Sequence, residues 1–353
     1  LAGKAHPKLM GQTFQEGFPE IWSKIEQNFD EAELSGKASD VYEIPLFVER
    51  NNVKEETYFT GNFNPIRGLS GKVEGFHNAT HEVTEQIIGD RRTKMLSSME
   101  VPNGLADKDL ASYVMGSLEL NPKDITMALL YEIDDETVPE STIVYLRASI
   151  GVPIDHPLAA DMADLDSANG IADLLRAASR KILTVPVDYR FAGVQWGFKE
   201  DDESDERISS DHVSILPIDG GGKTIGFLVV GVNPRRPVDK VHRQFMKDIA
   251  SKISSIAGLV VTAEDAKKRS DRLEKKLSDF DKQVRDMALN ASVGMLRLSI
   301  DGKIIWANDQ YYILTGCEPI EGGQKFLFLD VFLDKDRESA LEAVSKPSLY
   351  LAL

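Results

Sequence analysis

Apolar residues recur along this chain at two rhythms, and the switches between them mark out its elements. In Pro19–Leu34, PEIWSKIEQNFDEAEL, residues Ile21, Trp22, Ile25 and Phe29 fall at helical spacing and predict one apolar helix face, ended at Gly36. The rhythm then changes. Val41–Val48, Thr57–Ile66 and Lys72–Val83 read as consecutive strands, with Asn51-Asn52 and Leu69-Ser70-Gly71 as the turns between them. Short turns between successive strands predict an antiparallel meander. The charged stretch Thr84–Met99 predicts a helix leading out of it.

The middle of the chain, Leu105–Thr262, mixes both rhythms. Leu105–Leu118 has helical spacing. Ile125–Ile133 and Thr142–Ser149 predict strands around the acidic turn Asp134-Asp135-Glu136. Asn169–Leu183 predicts a helix with Leu174 and Leu175 inward. Val213–Ile218 and Thr224–Val232 predict strands joined by Asp219-Gly220-Gly221-Gly222, and a long helix starts near Val238.

That helix has an apolar stripe at Ile249, Ile253, Ile256 and Val260. After a charged interval, Leu273, Leu277, Phe280, Val284 and Met287 repeat at spacings of 4, 3, 4 and 3, a heptad seam. The spacing slips between Val260 and Ser270, which would locally distort a supercoil. About 50 residues at 1.5 Å each make a helix on the order of 75 Å long. An amphipathic helix of that length needs a partner, most simply its own copy in a parallel homodimer; the alternative is a helix lying on neighbouring domains.

The stretch Ser299–Gly316, SIDGKIIWANDQYYILTG, carries the densest signals. Asp301-Gly302 predicts a tight hairpin turn between Leu296, Leu298, Ile300 and Ile304, Ile305, Trp306. Asn308 predicts an N-cap, a short helix runs to Thr315, and Gly316 predicts a left-handed C-cap. Leu327–Phe332 and the helix Lys335–Val344 continue the module. This segment, with Asp301, Gly302, Trp306, Asn308 and Gly316, resembles the opening of a PAS sensor module. The first ninety residues, with ETYFTGNFNPIRGLSGKVEGF followed by HEVTEQ, look like the second half of another PAS domain, with His81-Glu82-Val83-Thr84 standing where that family has an Asp-Ile-Thr-like triplet. The segment GFLVVGVNPRRPVDKVHRQFMKDIASKISSIAG is similar to the last strand and closing helix of GAF domains, which implies an entry helix, an antiparallel sheet and a closing helix.

Composition narrows the function classes. A net charge of −16 repels nucleic acid and anionic membranes, so neither is an expected partner. No run of 18 apolar residues is present, and LAGKAHPKLM does not read as a signal peptide. The single cysteine, Cys317, excludes an internal disulfide and a cysteine-based zinc site. These features together predict a cytoplasmic location. The chain opens on Leu1 rather than Met, and both outer modules look partial, which predicts a piece of a larger sensor.

Candidate chemistry is sparse. PIDGGGKT (Pro217–Thr224) has proline where a phosphate loop needs its first glycine, and a strand follows where a helix should, so it reads as a hairpin turn. His77 and His81 would lie roughly 13 Å apart on a strand, too far to share a metal. Glu200–Glu206, EDDESDE, lacks the interleaved ligands of a cation loop. Gly316-Cys317-Glu318-Pro319 differs from the Asn-Cys-Arg-Phe-Leu-Gln setting of flavin-binding light sensors, which argues against a flavin adduct. A redox role for Cys317 predicts a thiol open to alkylation. The GAF-like region has no cysteine for bilin attachment and lacks the cyclic-nucleotide signature of that family, so a closed core is expected there.

The reading is therefore an α+β chain: residues 1–90 the C-terminal part of a PAS domain, 91–262 a GAF domain, 263–290 a coiled-coil signalling helix, and 291–353 the N-terminal part of a second PAS domain. The resemblance implies the sensory input region of a hybrid sensor histidine kinase, a two-component phosphorelay protein, with downstream kinase domains in a longer parent. No histidine sits in an H-E-x-R-T-P setting and no ATP-binding boxes occur, so these residues are expected to have no catalytic or metal site. No cofactor is evident; an unidentified small ligand in a GAF or PAS cavity remains open, as does the alternative of a non-catalytic protein-interaction scaffold.

Overall fold

The structure is a computed structural model that describes residues 8–50, 53–100, 110–134, 142–153, 156–167, 170–188, 191, 199, 208–299 and 303–317. It divides into two units, Leu1–Glu264 and Asp265–Leu353.

The first unit opens with α1 (Phe14–Gly17) and α2 (Pro19–Ser35). Thr13 and Glu16 form a reciprocal capping box on α1. Pro19 at the start of α2 and a left-handed Gly36 at its end bound that helix as its sequence predicts. Strands β1 (Ser39–Arg50), β2 (Val53–Arg67) and β3 (Val73–Glu82) form an antiparallel sheet in the order β1-β2-β3. Ile21 and Ile25 of α2 bury against Phe63 of β2, with Trp22, Phe29 and Phe76 half-buried around them. Rings carry much of this core: Phe29 lies 4.2 Å from Phe63 between centroids and 5.0 Å, edge-on, from Phe76. The expected meander and helix are both present. A bulge between Val41 and Ile44 puts Glu43 at φ 52, a left-handed conformation that kinks β1.

Helix α3 (Thr84–Ser98) leads out of the meander and runs across the boundary set at residues 90 and 91. Then come α4 (Leu110–Leu118), β4 (Ile125–Asp134), β5 (Ile143–Ile150), β6 (Met162–Asp164), α5 (Ala172–Ala177), β7 (Leu183–Pro186), β8 (His212–Gly220) and β9 (Lys223–Val232). The strands make one antiparallel sheet in the order β6-β5-β4-β9-β8-β7. Its central strands are almost wholly apolar because both faces are covered. Successive side chains point to opposite faces, so Ala128, Leu130, Leu216, Ile218, Leu228 and Val230 enter one core, while Met127, Leu129, Tyr131, Val213, Ile215, Phe227 and Val229 enter the other. The first core is closed by α4 and by the start of α6 (Lys240–Leu289), through Phe245, Met246, Ile249, Ile253 and Ile256. The second is closed by α5, through Leu174 and Leu175, and by Leu158 and Phe191.

One expected element is corrected. The helix expected over Asn169–Leu183 is only Ala172–Ala177, and Leu183 begins β7, where it pairs with Ile215. A β-branched pair, Thr184 and Val185, adds to the sheet more favourably than it extends the helix. The glycine-rich segment after Ile218 is a hairpin turn as expected, with Gly221 at φ 63 and Gly222 at φ 89, a backbone that residues with a Cβ rarely adopt.

In the second unit, α6 ends at Leu289 and is followed by β10 (Leu296–Leu298), β11 (Ile304–Ala307) and α7 (Asp309–Thr315). The two strands pair antiparallel, Leu296 with Ala307 and Arg297 with Trp306. The Asp301-Gly302 turn, Glu200–Glu206, Leu327–Phe332 and Lys335–Val344 lie outside the described residues. No helix among the described residues is long and apolar enough to cross a membrane.

Candidate functional site

Packing of α1 and α2 on the meander leaves a cavity of about 190 Å³ lined by Phe14, Phe18, Ile25, Ile44, Phe59 and Phe63, with Asn78 and Thr80 as polar points. The lining follows from the sequence. β2 alternates, sending Phe59, Gly61 and Phe63 to the helix side. Gly61 is needed there, because a Cβ would lie 2.7 Å from the Ala79 carbonyl oxygen of the next strand. The volume is close to that of engineered apolar cavities of ~150 Å³ that admit benzene, so the space suits a ring-sized apolar group.

β2 also contributes to a buried ionic network that sequence reasoning missed. Glu56 of β2 and Asp124, just before β4, are 1% and 3% exposed. Arg91 of α3 spans them. It donates to both Glu56 oxygens at 2.6 and 2.9 Å, and to both Asp124 oxygens at 2.8 and 3.1 Å. Asp124 also accepts from Arg92 at 3.0 Å and from Asn121 at 2.9 Å. Glu56 also accepts from the Tyr58 hydroxyl at 2.6 Å and from Asn233 at 2.8 Å. Burial pushes both carboxyls up, but the Arg91 guanidinium outweighs it and holds each below its usual range. Burial, with the adjacent Glu56 charge, pushes the Tyr58 phenol up, so it stays a donor.

Two further polar positions are worked out by their surroundings. Thr84, at the exit of β3, accepts from the Tyr58 backbone amide at 2.9 Å and donates to Glu82 at 2.9 Å, and Glu82 pairs with Arg50 at 2.7 Å. His242 of α6 contacts the Ser214 hydroxyl at 3.2 Å, and Ser214 contacts Thr184 at 2.8 Å. A serine beside a histidine is the start of a hydrolytic arrangement, yet Ser214 has no exposed surface. The pair is a polar link inside the core. Burial first, then the Arg92 cation, lowers the His242 imidazole to about 4, so it is neutral at pH 7.

The structure places the expected seam residues on the second half of α6. Leu273, Leu277, Phe280 and Met287 are 57–71% exposed, and Val284 is half-buried. Asn308 does more than the expected cap. Its side-chain oxygen accepts from Tyr311 at 3.0 Å and from Met295 at 2.7 Å, and its amide nitrogen donates to Ala288 at 2.6 Å and Val293 at 3.0 Å. One side chain therefore fastens the end of α6, the hairpin and α7. Gly316 is left-handed, φ 68, as expected at that C-cap. Trp306 is half-buried in β11, and Cys317 is half-buried with its amide donating to Thr315. Asn308→Ala removes all four bonds and is expected to cost the second unit about 2–3 kcal/mol of local stability, read as faster amide exchange at Met295 and Tyr311. Unchanged exchange at those amides would refute the fastening role. His77 and His81 lie on β3, as the strand assignment required.

No family model matches the chain, and no curated protein matches it. Among solved structures, the chain is similar to one described as the structure of the GAF domain, with 17% identity, 48% of this chain and 88% of that one covered, and a TM-score of 0.31. It is similar to the GAF domain of a phosphoenolpyruvate-protein phosphotransferase from Coxiella burnetii, with 18% identity, coverages of 50% and 98%, and a TM-score of 0.33. It is also similar to a free methionine-R-sulfoxide reductase from Neisseria meningitidis, with 13% identity, coverages of 50% and 92%, and a TM-score of 0.33.

Proposed function

We propose that this chain is a signal-input module: a PAS-like meander, a GAF-like sheet and the opening of a second PAS-like module, with α6 as the output element. The observation that carries the reading is the division of labour along α6. Its first half buries Phe245, Met246, Ile249, Ile253 and Ile256 in the core of the first unit. Its second half presents Leu273, Leu277, Phe280 and Met287 to solvent at heptad spacing. A seam of large apolar side chains left in water is a docking surface for an identical seam, and a parallel homodimer buries both. In such a dimer a change in core packing at the start of α6 becomes a change of rotation or register at its end.

The central module supports the GAF-like reading through its entry helix α4, its antiparallel sheet and its closing helix α6, the parts which the sequence resemblance implies. The role is sensory rather than catalytic. Phosphorelay chemistry belongs to kinase domains of a longer parent, in the cytoplasm, with no nucleic acid or membrane as partner. The cavity between α1, α2 and the meander is the place for a small apolar ligand.

Sedimentation equilibrium tests the seam. The chain is expected to be a dimer, and Leu277→Gln with Phe280→Gln is expected to raise its dissociation constant about 100-fold or more, since each substitution removes a buried apolar contact. A monomer at high concentration before any substitution would overturn the proposal.

A further inference from the structure

The segment that leads into α6 is tied to the meander at one residue, Glu56. Glu56 lies on β2, and its side chain accepts from Asn233, which begins the short segment leading to α6. Its backbone amide donates to the Arg235 carbonyl at 2.9 Å, and its carbonyl accepts from the Arg236 guanidinium at 3.3 Å. Arg236 also pairs with Glu85 on α3 at 2.7 Å. The same segment then builds the start of the helix: Asp239 accepts the His242 amide on its side chain and the Arg243 amide on its carbonyl. A second connection runs from Glu56 through Arg91 to Asp124, on to Arg92, whose guanidinium lies 4.4 Å from the Phe245 ring of α6. Both connections end in the first turns of α6.

We infer that Glu56 is the pivot of a latch between the meander and α6, so that repacking beneath β2 alters the stability of the first turns of α6. The physical basis is that a charge 1% exposed cannot be left unpaired cheaply. When β2 shifts, Asn233, Arg235 and Arg236 must follow or leave buried groups unsatisfied. An apolar contact between the same elements would slide instead. The latch would carry a change from the meander cavity to the helix that bears the seam. It is independent of the seam's own test: a monomeric chain would refute the seam and leave the latch standing.

A coupling cycle on the full chain, read by backbone hydrogen exchange, tests this. Phe63→Leu perturbs the meander core, remote in sequence from α6. It is expected to speed exchange at residues 242–249 about threefold or more in the native background. Introducing Glu56→Gln should abolish that response, because the carboxylate's charge-assisted bonds are lost while its shape is kept. Should Glu56→Gln prevent folding, Asn233→Ala, which removes the donor to Glu56 and the acceptor of the Arg235 amide while keeping the connection through Arg91, is used in its place and is expected to reduce the response. The inference is overturned if Phe63→Leu leaves residues 242–249 unchanged in the native background. It is equally overturned if the response is the same with the latch cut.

Discussion

Arg91→Met is expected to destabilise the Leu1–Glu264 unit by about 3–5 kcal/mol, a large share of the roughly 5–15 kcal/mol by which such domains are stable. Among the described residues, Arg91 is the one side chain that reaches both Glu56 and Asp124, and their side chains are each 1% exposed. Methionine keeps the length and the packing of the stem but leaves two like charges buried side by side. Asn233 and Tyr58 still donate to Glu56, and Arg92 and Asn121 still donate to Asp124, so the site is weakened rather than emptied. Arg91→Lys should be intermediate, because a point charge cannot make paired bonds to two carboxylates at once. Combining Arg91→Met with Glu56→Gln should cost less than the sum of the two, since the second substitution removes a charge which the first strands. Urea denaturation at pH 7 measures all three. A loss under about 1 kcal/mol for Arg91→Met would show that the network is solvated, contrary to its burial.

Much of the architecture was legible because periodicity reports burial. The meander, the strands of the central sheet and the start of α6 were readable from apolar spacing, and Asn308 and Gly316 from cap chemistry. The end of α5 was not. Leu174, Leu175, Ile182 and Leu183 keep an apolar rhythm that fits either element, and only the pairing of Leu183 with Ile215 decides it. The latch was invisible for a different reason. Arg91 and Arg92 in a charged helix, Glu56 in Lys-Glu-Glu-Thr and Asp124 in Pro-Lys-Asp all look like ordinary solvated charges. Their partners lie 33, 35 and 177 residues away, a separation at which a single sequence carries no pairing signal. The one available hint was the Arg-Arg pair within a helix that otherwise offers Ile88 and Met95 to the core: Arg92 falls four residues after Ile88, on the inward face. The seam shows the converse. Its spacing was plain, but a lone chain cannot display the partner that would bury it.

Acid is expected to unfold the first unit in two stages, the first of them set by His242. Its imidazole lies near 4 in the folded chain and near 6.5 when unfolded. Between those values the unfolded chain takes up a proton which the folded chain refuses, so stability is complete above about pH 6.5 and falls as pH drops towards 4. The shift amounts to about 3 kcal/mol in full and to about 2 kcal/mol by pH 5. The groups around the ring set this balance. Burial and the Arg92 and His212 charges disfavour the imidazolium, and Asp239 and Asp124 only partly oppose them. The second stage belongs to Glu56 and Asp124, whose folded carboxyls sit below their ordinary values. Their contribution is present above the unfolded carboxyl range near pH 4 and is lost below it. Both stages have the same sign, so the profile should fall without a rise between pH 7 and pH 3. His242→Gln keeps a polar group near Ser214 without a titrating one, and should flatten the stretch from pH 6.5 to 4.5 while leaving the carboxylate stage in place. Denaturation midpoints at half-unit pH intervals distinguish the cases: parallel curves for the native chain and His242→Gln would mean that His242 is not the group refusing the proton.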